Sequence, residues 1–177
     1  AQSSKLVYAG SSTKFGDGGL GRNQSPYGWT KASNTELVMN YGAWFGLDYA
    51  ITYFYNAYGP REIREGKYAT LIARFAEKMR NGESLTVVAP GTQKRNFTYV
   101  GDIVSGLIAV AEDGRGDEFG IGSSESFSVM EVAEMFGGPI EPLPERRGNR
   151  LTADLMTAKT EALGWRCETS LGSYVEQ

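Results

Sequence analysis

Short strand-like runs alternate with helix-periodic stretches along almost the whole chain, and that alternation constrains the fold more than any other feature. Lys5-Leu-Val-Tyr-Ala9 is a compact apolar run ending in Gly10-Ser-Ser-Thr13, the pattern of a buried strand with small polar residues at its end. Residues 16–26 are rich in Gly and polar groups and read as a loop. From 27 to 45 the pattern turns helical: Leu37, Val38, Tyr41 and Phe45 recur at three- and four-residue steps, with Pro26 at the start and Gly46 at the stop. Residues 48–55 are β-branched and aromatic and predict a strand, followed by a turn at 56–60. A helix is expected at 68–80, with Leu71, Ile72, Phe75 and Met79 on one face. Further strands are expected at 85–88 and 118–121, a loop at 89–94, and helices at 102–111, 129–136 and 159–163. Strand-helix alternation of this kind predicts an α/β fold with a parallel sheet. There is no internal repeat and no low-complexity linker. The second half is richer in loops and charge, which suggests a smaller lobe packed on a sheet.

The remaining bounds are chemical. A chain of 177 residues can bury one real core. Its net charge of −3 gives no reason to expect nucleic acid or an acidic membrane as partner. No apolar run approaches the roughly 18 residues of a membrane span, and the first residues form no secretory signal. The single cysteine, Cys167, excludes an internal disulfide and a cysteine-rich metal site, and a cytoplasmic location is expected. Histidine is absent, which rules out a His-based triad and an ordinary zinc site; no metal is expected. Any general base must be Tyr, Lys, Asp or Glu. The chain does not begin with Met and its first strand-like run starts at Lys5, which fits a chain cut from a longer one.

Tyr27 and Lys31 lie four residues apart at the start of a predicted helix, on one face and a turn apart. Free tyrosine titrates near pH ~10, too high for a base at neutrality. An adjacent ammonium favours the phenolate. A shift to about 7 would need roughly 4 kcal/mol, more than one lysine supplies, and an oxidised nicotinamide ring would add the second positive charge. The spacing alone is common on solvated helix faces. Its order in the chain is not: a strand ending in Gly-Ser-Ser-Thr, a loop, Pro-Tyr-x-x-x-Lys, then a helix. Ser11 or Ser12 could then point from the strand end toward the tyrosine and pass on a proton.

At these motifs the chain resembles the extended short-chain dehydrogenase/reductase family of NAD-dependent sugar-nucleotide epimerases and dehydratases. Val7-Tyr-Ala-Gly-Ser-Ser-Thr-Lys-Phe-Gly16 is similar to the family's serine-bearing strand end, and Ser25-Pro-Tyr-Gly-Trp-Thr-Lys31 to its Tyr-x-x-x-Lys helix. Tyr53-Phe-Tyr-Asn-Ala-Tyr-Gly-Pro-Arg61 resembles the strand and turn that meet nicotinamide and substrate. Gly91-Thr-Gln-Lys-Arg-Asn-Phe-Thr-Tyr-Val-Gly-Asp102 resembles the Arg-Asp-(Phe/Tyr)-x-x-Val-x-Asp segment. Phe119-Gly-Ile-Gly-Ser123 with Ser128-Val-Met-Glu131, and Arg146-Arg-Gly-Asn149 with Ala153-Asp154 and Leu163-Gly-Trp165, resemble the later motifs. The match runs nearly end to end in family order.

The resemblance implies the distal half of a doubly wound Rossmann-type parallel sheet plus a small α/β substrate-binding lobe. Residues 1–62, with 97–122 returning, would belong to the NAD-binding domain, and 63–96 with 123–177 to the lobe. It implies catalytic roles for Ser11, with Ser12 beside it, for Tyr27 as base and for Lys31 as its partner. Tyr27, Lys31 and Phe54 would face the cofactor, NAD or NADP. Asn56, Arg95 and Arg146 would bind a substrate diphosphate, for which a guanidinium fork is well shaped, and Thr86 and Val88 would meet the nucleotide base. The substrate would be a nucleoside-diphosphate sugar, and the helix beginning at Tyr27 would pair with its copy in a homodimer.

Departures refine this. Ser12-Thr13 stand where dehydratases of the family place an Asp-Glu pair, so dehydration is disfavoured and 4-epimerisation preferred; decarboxylating relatives also use a carboxylate near here. A reductase or dehydratase, or a non-catalytic sugar-nucleotide-binding module, are the alternatives. Asn96 and Asn149 replace an acid often seen in their motifs. Gly16-Asp-Gly-Gly-Leu-Gly21 spells a dinucleotide fingerprint, but Arg22-Asn-Gln-Ser-Pro26 follows it instead of a helix start, so a loop over the active site is expected. With the cofactor's phosphate loop lying elsewhere, the chain alone is expected to be inactive. Asp102 and Asp154 read as helix caps, and Trp29, Trp44 and Trp165 as packing groups.

Overall fold

The computed structural model describes residues 4–15, 22–23, 25–66, 68–144 and 154–176. In chain order the strands and helices are β1 (Leu6–Ala9), a 3-10 turn (Ser12–Phe15), α1 (Pro26–Phe45), β2 (Tyr49–Phe54), β3 (Ala57–Tyr58), α2 (Leu71–Arg80), β4 (Leu85–Val88), β5 (Lys94–Arg95), β6 (Thr98–Tyr99), α3 (Val100–Asp113), β7 (Gly116–Ile121), β8 (Phe127–Ser128), α4 (Val129–Phe136), β9 (Ile140–Leu143), α5 (Ala158–Ala162) and α6 (Leu171–Val175). The class is α/β, as the alternation predicts.

The frame that positions the site is a parallel sheet in the order β1-β2-β7. β2 is its central strand, and Ala50, Ile51, Thr52 and Tyr53 are all fully buried. A strand covered on both faces reads as continuous rather than alternating burial. Because all three strands run the same way, their C-terminal ends lie on one edge, where ligands of open α/β sheets bind. A second core joins Ile72 and Phe75 of α2, Leu85 and Val87 of β4, and Val132 of α4. There β4 pairs in parallel with β9.

Local signals explain the boundaries. Ser25 caps α1 by accepting from Gly28 N–H at 3.0 Å, Pro26 takes the first helical position, and Gly46 ends the helix at φ 69°. The second predicted helix begins at Leu71 rather than 68. Thr70 is its cap, and its hydroxyl also donates to the Glu62 carboxylate, so the preceding residues stay outside the helix. Ser128 and Glu131 of the family-like motif form a capping box: Glu131 N–H donates to Ser128 Oγ at 3.1 Å, and Ser128 N–H to Glu131 Oε2 at 2.6 Å. That amide holds the exposed Glu131 carboxyl below its usual range.

Several expectations are corrected. The predicted turn at 56–60 contains β3, which pairs in parallel with β6. The apolar recurrence on α1 lies at the surface: Leu37, Tyr41 and Phe45 are exposed, Phe45 by 71%. Trp29 and Trp44 are also exposed, and Trp44 meets only its helix neighbours Tyr41 and Phe45 among ring contacts of the described residues. Trp165 does pack, with its Nε1–H donating to Asp102 O at 2.9 Å. Asp102 is not a cap. It lies inside the first turn of α3, and its carboxylate accepts from Thr169 N–H at 3.0 Å and from the Cys167 thiol at 3.4 Å. Asp154 contributes its backbone carbonyl to the Tyr55 hydroxyl.

Candidate active site

The three strand ends carry the chemistry. β1 runs into Gly10 and Ser11, β2 into Tyr55 and Asn56, and β7 into Gly122 and Ser123. Gly10 is required there, since a Cβ on it would stand 2.6 Å from the ring of Tyr53. Ser11 Oγ lies 2.9 Å from Thr13 Oγ1, within the turn that starts the 3-10 segment. Ser12 opens that segment.

α1 packs against this turn. Its Lys31 reaches the strand end directly, donating from Nζ to Ala9 O at 3.0 Å, with Nζ 5.4 Å from the centre of the Tyr8 ring. Tyr27, one turn earlier, is 59% exposed. The other site tyrosine is no rival as a base. Burial, then donation to Asp117, pushes the Tyr53 phenol far above its ordinary range. Burial does the same to Tyr58.

Two clasps flank the strand ends, one to the start of β7 and one to the loop that follows it. On the α1 side, Lys14 Nζ lies 2.5 Å from Asp117 Oδ2 and 3.2 Å from Tyr53 Oη, and Tyr53 Oη donates to Asp117 Oδ1 at 2.6 Å. Burial raises the Asp117 carboxyl, but hydrogen bonds from Lys14, Tyr53 and Glu118 N–H outweigh it, so the group is held below the usual carboxylate range. The second clasp is built from asparagines. Asn56 sits at φ 34°, a conformation Asn tolerates better than most residues. Its Nδ2 donates to Asn96 O at 3.0 Å. Asn96 Nδ2 in turn donates to Ser123 O at 2.9 Å and Glu125 O at 3.2 Å. Both acceptors are carbonyls, so a carboxylate at 96 could not make these bonds; this is the physical sense of the amide found where family members often carry an acid.

Arg95 adjoins this clasp in β5, half-buried, with a guanidinium N–H on Lys94 O at 3.0 Å. Thr86 and Val88 line a cavity of about 170 Å³ with Gln93 and two α2 cations, Arg74 and Lys78. The last three were not foreseen; the helical spacing of 74 and 78 was the available signal. Phe54 turns its ring onto the cluster of Ile103, Ile121 and Trp165, which leaves its backbone at the strand end. Arg146, Asn149 and the Gly16–Gly21 loop lie outside the described residues. Cys167 is no nucleophile: burial, then donation to Asp102, pushes its thiol up to about 11. No group of His, Cys, Asp or Glu among the described residues could hold a metal ion, and no helix among them is long and apolar enough to cross a membrane.

A parallel sheet with a Ser-bearing strand end, a Tyr-x-x-x-Lys helix docked on it, and an Asn-Arg crossing over the neighbouring strand end define a short-chain dehydrogenase-type enzyme fold. The comparisons agree. A sequence model described as the NAD dependent epimerase/dehydratase family matches residues 1–122, and the chain belongs to that NAD-dependent family. It is 34% identical over 161 residues to the low-salt glycan biosynthesis protein Agl12 of Haloferax volcanii, covering 86% of this chain and 51% of that protein. It is 34% identical over 144 residues to UDP-glucuronic acid decarboxylase 3 of Arabidopsis thaliana, covering 76% of this chain and 41% of that one. Among solved structures, UDP-glucose 4-epimerase of Thermotoga maritima with UDP-glucose superposes with TM-score 0.86 at 25% identity, over 97% of this chain and 61% of that chain. The Thermus thermophilus UDP-glucose 4-epimerase with NAD gives TM-score 0.83 at 25% identity, with the same coverage. The chain thus spans about half the length of the curated relatives it matches.

Proposed function

We propose that this chain is the base-bearing and substrate-binding portion of a nucleoside-diphosphate-sugar 4-epimerase. The observation that carries the reading is the Lys31–Ala9 contact, which brings the first turn of α1 to the strand end bearing Ser11. Tyr27 takes the proton of the sugar hydroxyl, with Lys31 as its cationic neighbour and Ser11 as donor to the same oxygen. The diphosphate lies against Asn56 and Arg95, with Arg146 as a further arginine, and the base enters the cavity lined by Thr86 and Val88. Absence of the Asp-Glu pair at 12–13 favours epimerisation over loss of water.

NAD, when bound, takes up and returns hydride at the sugar carbon. The residues here suit the nicotinamide end of that cofactor: Tyr27, Lys31 and the backbone at Phe54 adjoin one edge of the sheet. No strand–glycine loop–helix cradle for its pyrophosphate exists among the described residues. Asn56, Arg95 and the cavity lined by Thr86 and Val88 would also serve, as a second reading, a sugar-nucleotide-binding module. The division into 1–62 with 97–122 and 63–96 with 123–177 fits both, as does a homodimer through the exposed aromatic face of α1.

Calorimetry with UDP and UDP-galactose tests the shared core of the proposal. Binding is expected, and Arg95→Ala should weaken it about tenfold or more, the loss expected for a charge-assisted phosphate contact. No heat with either ligand, or equal binding by Arg95→Ala, would overturn the subsite. Turnover of UDP-galactose by the whole protein with NAD, absent in Tyr27→Phe, separates the enzyme from the module.

A further inference from the structure

Among the described residues the Ser11 hydroxyl has hydrogen-bond partners only on Thr13, two residues on. Ser11 Oγ lies 2.9 Å from Thr13 Oγ1 and accepts from Thr13 N–H at 3.4 Å. The backbone brings residue 13 back over residue 11: Lys14 N–H donates to Ser11 O at 3.0 Å, which closes the first 3-10 turn. That turn is tied down in its own right, since the Lys14 ammonium sits on Asp117. Thr13 is β-branched, so its χ1 is stiff and its hydroxyl holds a direction. Thr13 Oγ1 has no other partner among the described residues.

We infer that Thr13 is a positioning residue for Ser11: its hydroxyl donates to Ser11 Oγ and so turns the Ser11 hydrogen toward the sugar oxygen. Within the pair alone either hydroxyl can donate. A sugar oxygen beside Ser11 decides between them. A serine hydroxyl has one hydrogen and two acceptor sites. With Thr13 donating, Ser11 Oγ accepts from the hydroxyl and the N–H of Thr13, and its own hydrogen goes to the sugar. Every donor then has an acceptor. With Ser11 donating to Thr13, the Thr13 hydrogen has no acceptor among the described residues and the sugar oxygen loses its donor. The first arrangement is also a chain, and a hydroxyl that accepts a hydrogen bond donates a stronger one. The sugar proton goes to Tyr27 and the hydride to NAD, as proposed above; neither Ser11 nor Thr13 is ionised. As Tyr27 draws the proton off, negative charge grows on the sugar oxygen. The contribution of Thr13 is therefore larger in the transition state than in bound substrate. The inference rests on the 4-epimerase reading of the site and assigns a task to a residue that reading leaves idle.

The test is turnover of UDP-galactose by the whole protein with NAD, beside calorimetry of UDP-galactose binding. Thr13→Val keeps the branched shape and the N–H but removes the hydroxyl. It should lower kcat about tenfold, the loss of one hydrogen bond felt in the transition state, with affinity changed less than about twofold. Thr13→Ser restores the donor and should recover kcat to within about threefold of the parent. In a Ser11→Ala background Thr13→Val should have no further effect, because the group through which it acts is gone. A hydroxyl that only supports the turn would give the same loss in both backgrounds. Thr13→Ala takes the place of the valine variant if that one does not fold. Undiminished kcat in Thr13→Val, a loss that Thr13→Ser does not recover, or a loss that persists beside Ser11→Ala overturns the positioning role. A parent without turnover, or Ser11→Ala with full turnover, overturns the 4-epimerase reading and the inference with it, so the two failures are told apart.

Discussion

Replacing Lys14 with methionine should lower stability by about 2 kcal/mol at pH 7 and by less at pH 3. Methionine keeps an apolar stem against the rings of Phe15 and Tyr53, over which Lys14 Nζ lies at 5.5 and 5.4 Å. What is lost is the contact with Asp117, whose side chain is 14% exposed against 35% for Lys14. Breaking a fully buried pair costs about 3–5 kcal/mol, and an exposed pair contributes roughly 0–1. Solvent reaches Lys14, and Asp117 keeps the Tyr53 hydroxyl and Glu118 N–H, so the value falls between these. The pH dependence has a definite sign. Asp117 is depressed in the folded chain, so its contribution is fully present above the unfolded carboxyl value of about 3.9 and is lost as pH falls through the lower folded value. Urea unfolding followed by circular dichroism at both pH values measures this. With a slope near 2 kcal/mol/M the midpoint should drop by about 1 M at pH 7. A drop below roughly a quarter of that, or one that persists unchanged at pH 3, would refute the clasp.

Gly10→Ala should destabilise by about 1–3 kcal/mol, read by thermal melting, because the new methyl meets the Tyr53 ring and that ring is fixed by Asp117. Asn96→Asp should cost about 2 kcal/mol at pH 7 in urea titration, since it loses two donors and sets a carboxylate against the carbonyls of Ser123 and Glu125. The cost should shrink below about pH 4 as that carboxyl gains a proton it can donate; a pH-independent cost would contradict this. Ser128→Ala should cost about 1 kcal/mol by removing the cap of α4. Cys167 should resist iodoacetamide at pH 8, with alkylation followed by mass spectrometry rising only toward pH 11.

What could be read from the sequence was what local chemistry determines. β1 and β2 show themselves as apolar runs, β7 only in its second half, and α4 has its predicted limits because a capping box starts it and Gly137 stops it. The pairings β3–β6 and β5–β8 involve two residues on each strand, too few for any periodicity to register. They exist because the chain closes over the strand ends. The position of Ser11 at a strand end was legible from the apolar run before it, whereas Asn56 was singled out only through the family resemblance. Neither clasp was legible: Lys14 and Asp117 lie 103 residues apart, and Asn96 and Ser123 lie 27 apart. The exposed stripe of α1 marks the limit of periodicity as a signal. It reports an apolar face, and not which body covers it.

The two clasps also show where the site is rigid and where it is not. Lys14 ties the serine turn to β7, and Asn96 ties the end of β2 to the loop after β7. Tyr27, the proposed base, has no such fastening among the described residues: it is exposed on the first turn of α1, anchored through the Ser25 cap and through Lys31 one turn on. Lys31 in turn bonds the Ala9 carbonyl at the end of β1. A positioned base needs neighbours that lock its rotamer. The clasped segments around Asn56 and Asn96 are therefore fixed more firmly than the first turn of α1 that carries Tyr27.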